Sequence, residues 1–372
     1  MKVAIVADWL TDRGGAEKVI LAMHDVFPQA PIFTTLYNPE VMGPEFERLD
    51  IRTSFLQKWP FAKKHRTKFV NLLPMAIEDL DVSEYDVVIS SSSAIGHGVI
   101  THANQLHICY CHTPMRFCWD DCQNFIRQSG FSKFVKKFIP LMLSPVRVWD
   151  YWASDRPDQY IANSNYIKKR IKKYFNQTAD VLYPPVETNH FRIANAEEHK
   201  DFYLVVSRLV DFKKVDLAIE ACNKLKIPLK VAGSGPAFDR YSGLAGPTVQ
   251  LLGYVPEVEK EALMRECKAL IFPQLEDFGI TPLEVMASGK PVIAFRKGGA
   301  LETVIEGKTG MFFDEQTPDS LAEAIQKFET MKFDPEVLQK HAKDFSYEVF
   351  CEKFKKYVEE KWNEFDRESL CS

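Results

Sequence analysis

The sequence predicts an α/β protein made of two doubly wound parallel-sheet domains. Short apolar runs alternate with stretches of helical period, which is the pattern of strands covered on both faces by helices. The alternation stops at Pro184-Pro185 and then restarts. A chain of 372 residues also exceeds what one ordinary hydrophobic core takes.

The elements follow in order. Val3–Ala7 (VAIVA) reads as a buried strand and residues 8–15 as a loop. Ala16, Val19, Ile20, Met23, Val26 and Phe27 then recur at helical spacing. Residues 31–37 (PIFTTLY), 86–93 (DVVISSSS), 106–112 (LHICYCH) and 158–164 (DQYIANS) read as further strands, and the basic run 166–174 as a helix. Residues 181–191 (VLYPPVETNHF) read as the linker. Beyond it, strands are expected at 202–209, 228–235, 249–255, 269–274 and 291–295, with helices over Val215–Leu225 and near 257–267. Residues 347–365 form a charged amphipathic helix with no strand after it. The domains are expected at 1–183 and 184–346. Two such halves facing one another would set a central cleft at the carboxyl ends of both sheets, where open α/β sheets bind ligands.

Composition narrows the function classes. With 46% hydrophobic and 26% charged residues the chain is of the soluble globular kind. A formal charge of −4 leaves no basic excess for phosphates, which argues against a nucleic-acid partner. The start, MKVAIVADWL, lacks the features of a secretory signal. No run approaches the roughly 18 apolar residues of a membrane span, so the chain reads as cytoplasmic. Eight cysteines then read as free thiols. Cys109, Cys111, Cys118 and Cys122, with His107 and His112, have no CxxC spacing, and no metal site is expected.

The motif EDFGITPLEVMASGKPVIA, residues 276–294, sets Glu276 on a Gly-containing loop and Glu284 in the helix that follows. Thr281-Pro282-Leu283-Glu284 fits a capping box, with Thr281 at the N-cap and Glu284 three residues on. A helix start is also an anion site, and Gly279 permits close approach of a ligand. Capping does not account for Glu276. In VSRLVDFKK, a strand ends in Ser207-Arg208 and Lys213 follows five residues later. Two cations there suit a diphosphate, Arg208 by its fork and Lys213 as a point charge; a solvated basic surface suits Lys214 better.

Gly14-Gly15 and Gly233-Ser234-Gly235 follow strands, as phosphate-approach loops or as glycine-assisted turns, without a GxGxxG. In YCHTPMRFCWDD, His112 ends a strand, with Arg116, Trp119 and Asp120 close behind as polar and aromatic groups suited to sugar. Asp8, at the end of the first strand, is a further acceptor-side candidate. Basic and apolar residues interleave at 58–70 (KWPFAKKHRTKFV) and 131–143 (FSKFVKKFIPLML). These read either as solvated helical faces or as peripheral contacts with an anionic membrane.

Together these motifs resemble glycosyltransferase family 4, the retaining GT-B enzymes that use nucleotide sugars. Glu276 and Glu284 match the family's pair of glutamates separated by seven residues, and Arg208-Leu209-Val210 with Lys213 match its strand-end cations; Lys214 stands where the family has glycine. Gly14-Gly15-Ala16-Glu17, Asn163-Ser164, Gly253-Tyr254-Val255 and Gly298-Gly299-Ala300-Leu301-Glu302 fall in the expected order. YCHTPMRFCWD resembles a bacterial subgroup that builds O-antigen and other surface polysaccharides, many of them mannosyltransferases.

The resemblance implies a GT-B fold whose C-terminal helix, 347–372, crosses back onto the N-terminal, acceptor-binding domain. Residues 184–346 would then bind the donor. It implies that Arg208 and Lys213 hold the donor diphosphate in place of a metal ion. Backbone amides of Phe278, Gly279, Ile280 and Thr281 would meet phosphate and sugar. Glu276 would bind hydroxyls of the transferred sugar, and Glu284 those of the ribose. Tyr254 and Val255 would border the base, Ser207 and Gly233 would line the donor site, Gly15 would let the backbone approach the donor, and His112 would touch its sugar. GDP-mannose is the favoured donor and a glycan or lipid-linked molecule the acceptor, in surface polysaccharide or lipopolysaccharide synthesis at the inner face of the cytoplasmic membrane. A UDP-sugar-dependent transferase, a sugar-nucleotide epimerase on the same architecture and a non-enzymic nucleotide-sugar binder are the competing readings.

Overall fold

The structure, a computed structural model, describes residues 1–63, 66–128 and 132–371. Lys64 and His65 of the first basic-apolar stretch and Phe131 of the second lie outside the described residues. The chain divides into two compact units: residues 1–184 with 350–372, and residues 185–349.

The first unit is built on seven strands: β1 (Val3–Ala7), β2 (Ile32–Thr34), β3 (Ile51–Thr53), β4 (Val87–Ser92), β5 (Leu106–Cys111), β6 (Gln159–Ala162) and β7 (Asp180–Val181). All pair in parallel in the order β3-β2-β1-β4-β5-β6-β7. Strands β1, β4 and β5 are buried at every position, which is why they read as unbroken apolar or small-residue runs. The helix Gly15–Val26 follows β1 and turns Val19, Ile20, Ala22 and Met23 inward. The helix Asn165–Phe175 follows β6, started by Ser164, whose hydroxyl accepts from Ile167 N at 3.1 Å. The final helix, Tyr347–Cys371, sends Phe350 and Phe354 into this unit, within 6.0 Å of Tyr110 and 6.3 Å of Phe27.

The second unit repeats the design with six strands: β8 (Tyr203–Val206), β9 (Leu229–Ala232), β10 (Val249–Gly253), β11 (Ala269–Phe272), β12 (Val292–Phe295) and β13 (Gly310–Phe313). These are also all parallel, in the order β10-β9-β8-β11-β12-β13. Its core joins β8 to the buried faces of the helices Val215–Leu225 and Pro318–Phe328.

In both sheets the strand order reverses beside the first strand. The chain runs β1 to β3 one way and resumes at β4 on the other side; β8 to β10 and β11 repeat the step. Loops leaving the carboxyl ends of adjacent strands diverge there, so the crevice for a ligand forms at these points. Strands β3, β7 and β13 go beyond the sequence expectation. The first two hold three and two residues at or near a sheet edge, too few for a periodic signal.

Candidate active site

In the second unit the loop after β8 carries Ser207, Arg208 and Lys213, and the loop after β11 carries Glu276 to Gly279. The strand ends at Val206, so Arg208 lies two residues into the loop and is exposed. Among the described residues no hydrogen bond or ion pair engages its guanidinium. Lys213 Nζ pairs with Glu276 Oε1 across the strand reversal, with 19% and 22% of their side chains exposed. Two residues that the sequence offered separately, 63 positions apart, are thus one ion pair.

Glycines position both loops. A Cβ on Gly233 or Gly235 would overlap the Ser207 or Leu209 carbonyl oxygen, and Gly233 has a φ of +142°. Leu209 N donates to Ser234 O at 2.9 Å and Ser207 N to Ala232 O at 3.0 Å. The close approach that Gly233 permits is therefore one between two protein loops. Gly298 and Gly299 do the same for the other loop: a Cβ there would overlap Glu276 O or Phe278 Cα, and Gly299 N donates to Glu276 O at 2.9 Å. The Gly298-Gly299 motif thus acts as a brace for the glutamate loop.

The structure corrects the capping-box reading. The helix is Ile280–Ala287 with Gly279 as N-cap at a φ of +92°, and no side chain caps it. Thr281 is the second helical residue, so it cannot act as N-cap, and Glu284 lies five residues beyond Gly279. A left-handed glycine starts the helix early and leaves the amides of Ile280 and Thr281 pointing out of its N-terminus. Glu284 is buried instead, with Lys260 Nζ 3.7 Å from its Oε1. Lys260 stands in the helix Glu257–Glu266 and also pairs with Glu257 at 2.5 Å. Burial alone would push its ammonium down, but Glu284 and Glu257 outweigh that and raise it. Nothing in EVEKEALMRE marks Lys260, since lysine beside glutamates is the usual face of a solvated helix. Phe278 is buried against Phe345 at 5.9 Å, so it presents backbone to the site. Tyr254 and the half-buried Val255 follow β10, and Tyr254 is 78% exposed.

In the first unit, His112 follows β5, and its Nε2 lies 2.9 Å from Ser91 Oγ. Burial pushes its imidazole down to about 4, so it is neutral at neutral pH. Asn163 Nδ2 donates to its carbonyl at 3.1 Å, tying the Asn163-Ser164 motif to the same corner. Gly14 and Gly15 are exposed and open the helix after β1, with Gly14 as N-cap. Glu17 on that first turn is pushed up to about 7, chiefly by burial.

Three acceptor-side candidates, Asp8, Trp119 and Asp120, have partners within the first unit. Asp8 is buried: its carboxylate accepts from Ser93 N at 2.6 Å, Ile95 N at 2.8 Å and Gly96 N at 2.6 Å. It is spent on the turn after β4, although burial raises its pKa. Trp119 gives its indole N–H to the buried Asp150 Oδ2 at 2.6 Å and stacks on Tyr174 at 5.1 Å. Asp120 pairs with Arg170 at 2.8 Å. Each of the three ties its own segment to a different part of the unit, and Arg116 is half-buried. Cys109, Cys111 and Cys118 are buried thiols whose pKa burial raises, and among the described residues no three His, Cys, Asp or Glu side chains group as a metal site.

Comparison with known proteins adds to this geometry. Residues 186–347 match the family model of Glycosyl transferases group 1, and residues 13–190 that of Glycosyltransferase Family 4. The chain is 30% identical over 207 residues to an uncharacterized glycosyltransferase of Methanocaldococcus jannaschii; the match takes in 54% of this chain and 58% of that protein. It is 25% identical over 364 residues to the alpha-1,3/1,6-mannosyltransferase ALG2 of Mus musculus, across 85% of this chain and 84% of the mouse protein. Among solved structures it is similar to Anabaena HepE in complex with UDP and glucose, with a TM-score of 0.68 and 16% identity over 96% of this chain and 99% of that one. At that identity the likeness concerns the fold, two Rossmann-like domains of the GT-B type.

Proposed function

Because this chain belongs to glycosyltransferase family 4 and is a nucleotide-sugar-dependent transferase, we propose that it is retaining and metal-independent and moves mannose from GDP-mannose to a glycan or lipid-linked acceptor. The observation that carries the reading is the Lys213–Glu276 pair across the strand reversal, with the exposed Arg208 on the same loop as Lys213. A diphosphate drawn to this crevice meets Arg208 and Lys213, the charges that stabilise the leaving group as its bond to the sugar breaks. As Lys213 turns to phosphate, Glu276 is released to accept hydrogen bonds from hydroxyls of the transferred sugar. The outward amides of Ile280 and Thr281, beside Gly279, meet anionic oxygens at the helix start. Glu284, steadied by Lys260, accepts from the ribose hydroxyls.

On the first unit, the exposed Gly14 and Gly15, the neutral imidazole of His112 and the half-buried Arg116 are the candidates for sugar and acceptor recognition. With no side chain assigned as nucleophile, retention follows from front-face attack through an oxocarbenium-like state, the departing phosphate taking the acceptor's proton. Mannose is favoured by the naming of the mouse relative as a mannosyltransferase, and a UDP-sugar is the second reading because Anabaena HepE holds UDP. Thermal-shift titration with GDP-mannose, UDP-glucose and a dTDP-sugar tests the donor, followed by an assay of nucleoside diphosphate release with polyprenyl-linked glycan. Stabilisation by GDP-mannose with acceptor-dependent GDP release is expected. Release of UDP instead would select the second reading, and conversion of the donor sugar without acceptor would make the protein an epimerase.

A further inference from the structure

The helix Ile139–Ala153 of the first unit is apolar on two sides. Its buried face sets Ile139, Leu143 and Val146 into the core, and its only charged residues, Arg147 and Asp150, also turn inward. Arg147 Nε donates to Cys118 O at 2.6 Å, and Asp150 is wholly buried under Trp119. The outward face therefore has no charge. With the short helix Lys133–Lys136 before it, it presents Phe134, Phe138, Leu141, Pro145, Val148 and Trp152, which recur every three or four residues. Phe134, Leu141 and Trp152 are 70%, 69% and 67% exposed. A helix apolar all round is ordinarily buried, so this face needs an apolar partner.

Two features identify that partner. Lys133 and Lys137, both exposed, stand at the N-terminal end of the stripe, while Tyr151 and Trp152 stand at the other. Cations beside a neutral apolar stripe that ends in aromatic residues fit the headgroup boundary of an anionic bilayer. In the same unit Trp59 and Phe61 are exposed between Lys58 and Lys63, and the buried Leu56 and Ala62 of that segment share a core cluster with Ile139, Leu143 and Val146. Among the described residues no helix is long and apolar enough to cross a membrane.

We propose that residues 133–152 form an interfacial anchor that lies on an anionic membrane surface, with Phe134, Leu141, Val148 and Trp152 in the acyl boundary and Lys133 and Lys137 among the headgroups. The anchor does not depend on the donor assignment. It would bring a lipid-linked acceptor to the enzyme in two dimensions.

Co-sedimentation with vesicles tests it, using phosphatidylcholine alone and mixed with phosphatidylglycerol. The wild-type chain is expected to pellet with the mixed vesicles and to be released by salt. Lys133→Gln with Lys137→Gln should weaken partitioning by about 25-fold, since each lysine near such a surface is worth about fivefold. Leu141→Ser with Val148→Ser should weaken it further. Both variants should keep the wild-type circular dichroism and nucleotide thermal shift, because the substituted side chains are exposed. Equal binding to neutral vesicles, or wild-type binding by either variant, would overturn the proposal. So would a wild-type dimer in sedimentation velocity that Leu141→Ser with Val148→Ser dissociates, because the face would then belong to a second copy. Vesicle binding needs no turnover, so its failure leaves the transferase reading intact, and loss of transfer to a water-soluble acceptor leaves the anchor intact.

Discussion

The two units solve one topological problem in different ways. In each, the loops after two neighbouring strands part where the strand order reverses, and a carboxylate ties them together. In the first unit the tie is Asp8, after β1, on three backbone amides after β4; it is 6% exposed. In the second it is Glu276, after β11, on Lys213, after β8, with about a fifth of each side chain exposed. A carboxylate spent on buried amides cannot leave them without stranding donors. A partly exposed ion pair exchanges partners at less cost. The strand reversal is thus locked in one unit and tied by a replaceable contact in the other.

The largest test of the contrast is Arg208→Ala, on the loop that Lys213 shares. Turnover should fall on the order of 100- to 1,000-fold, as when a leaving-group contact is removed, with urea stability unchanged. Near-normal turnover would remove the diphosphate from this crevice. Asp8→Asn should do the opposite, costing about 1–3 kcal/mol in urea unfolding while leaving donor affinity in place. A variant that kept its stability and lost donor binding would make Asp8 part of the site after all.

Glu284→Gln is expected to weaken donor binding about tenfold by calorimetry, the scale of one hydrogen bond of about 1.4 kcal/mol. An unchanged affinity would reduce the Lys260–Glu284 contact to framework. A double-mutant cycle on Lys213→Ala and Glu276→Gln, measured by unfolding, should give a coupling under about 1 kcal/mol. A larger value would mean that this tie, too, is a lock.

The subtlest test concerns Glu17. Its carboxyl is raised to about 7 in the folded chain from an ordinary 4.5, so the folded state holds the proton more tightly. That advantage is full below the ordinary value and is lost as pH rises towards 7. Glu17→Gln should therefore unfold like the wild type near about pH 4 and be the more stable at about pH 8. Identical midpoints at both would place Glu17 in ordinary solvent.

How much of this was legible follows from the reach of each signal. Strands with four or more buried residues, such as β1 and β8, declare themselves locally; β3, with three half-exposed or exposed residues, does not. Glu276 could be set apart because no helix claims it. Thr281 misled because Thr-Pro-Leu-Glu has the letters of a capping box, while the preceding glycine had already started the helix. Asp8 and Trp119 look like ligand contacts in one dimension; only the fold shows Ser93, Gly96 and Asp150 arriving to occupy them. Lys260 was out of reach, since its partner is 24 residues away on another helix.

The final helix has a consequence for how the chain is made. Phe354 and Val358 are wholly buried, and Phe354 stacks on Phe350, which itself packs on Tyr110. The first unit's interior is thus closed by residues that do not exist until all of the second unit has been synthesised. A nascent first unit must wait with an apolar gap over Phe27, exposed to solvent or to a chaperone, while residues 185–349 complete a core of their own. The later-made unit is the one free to finish first.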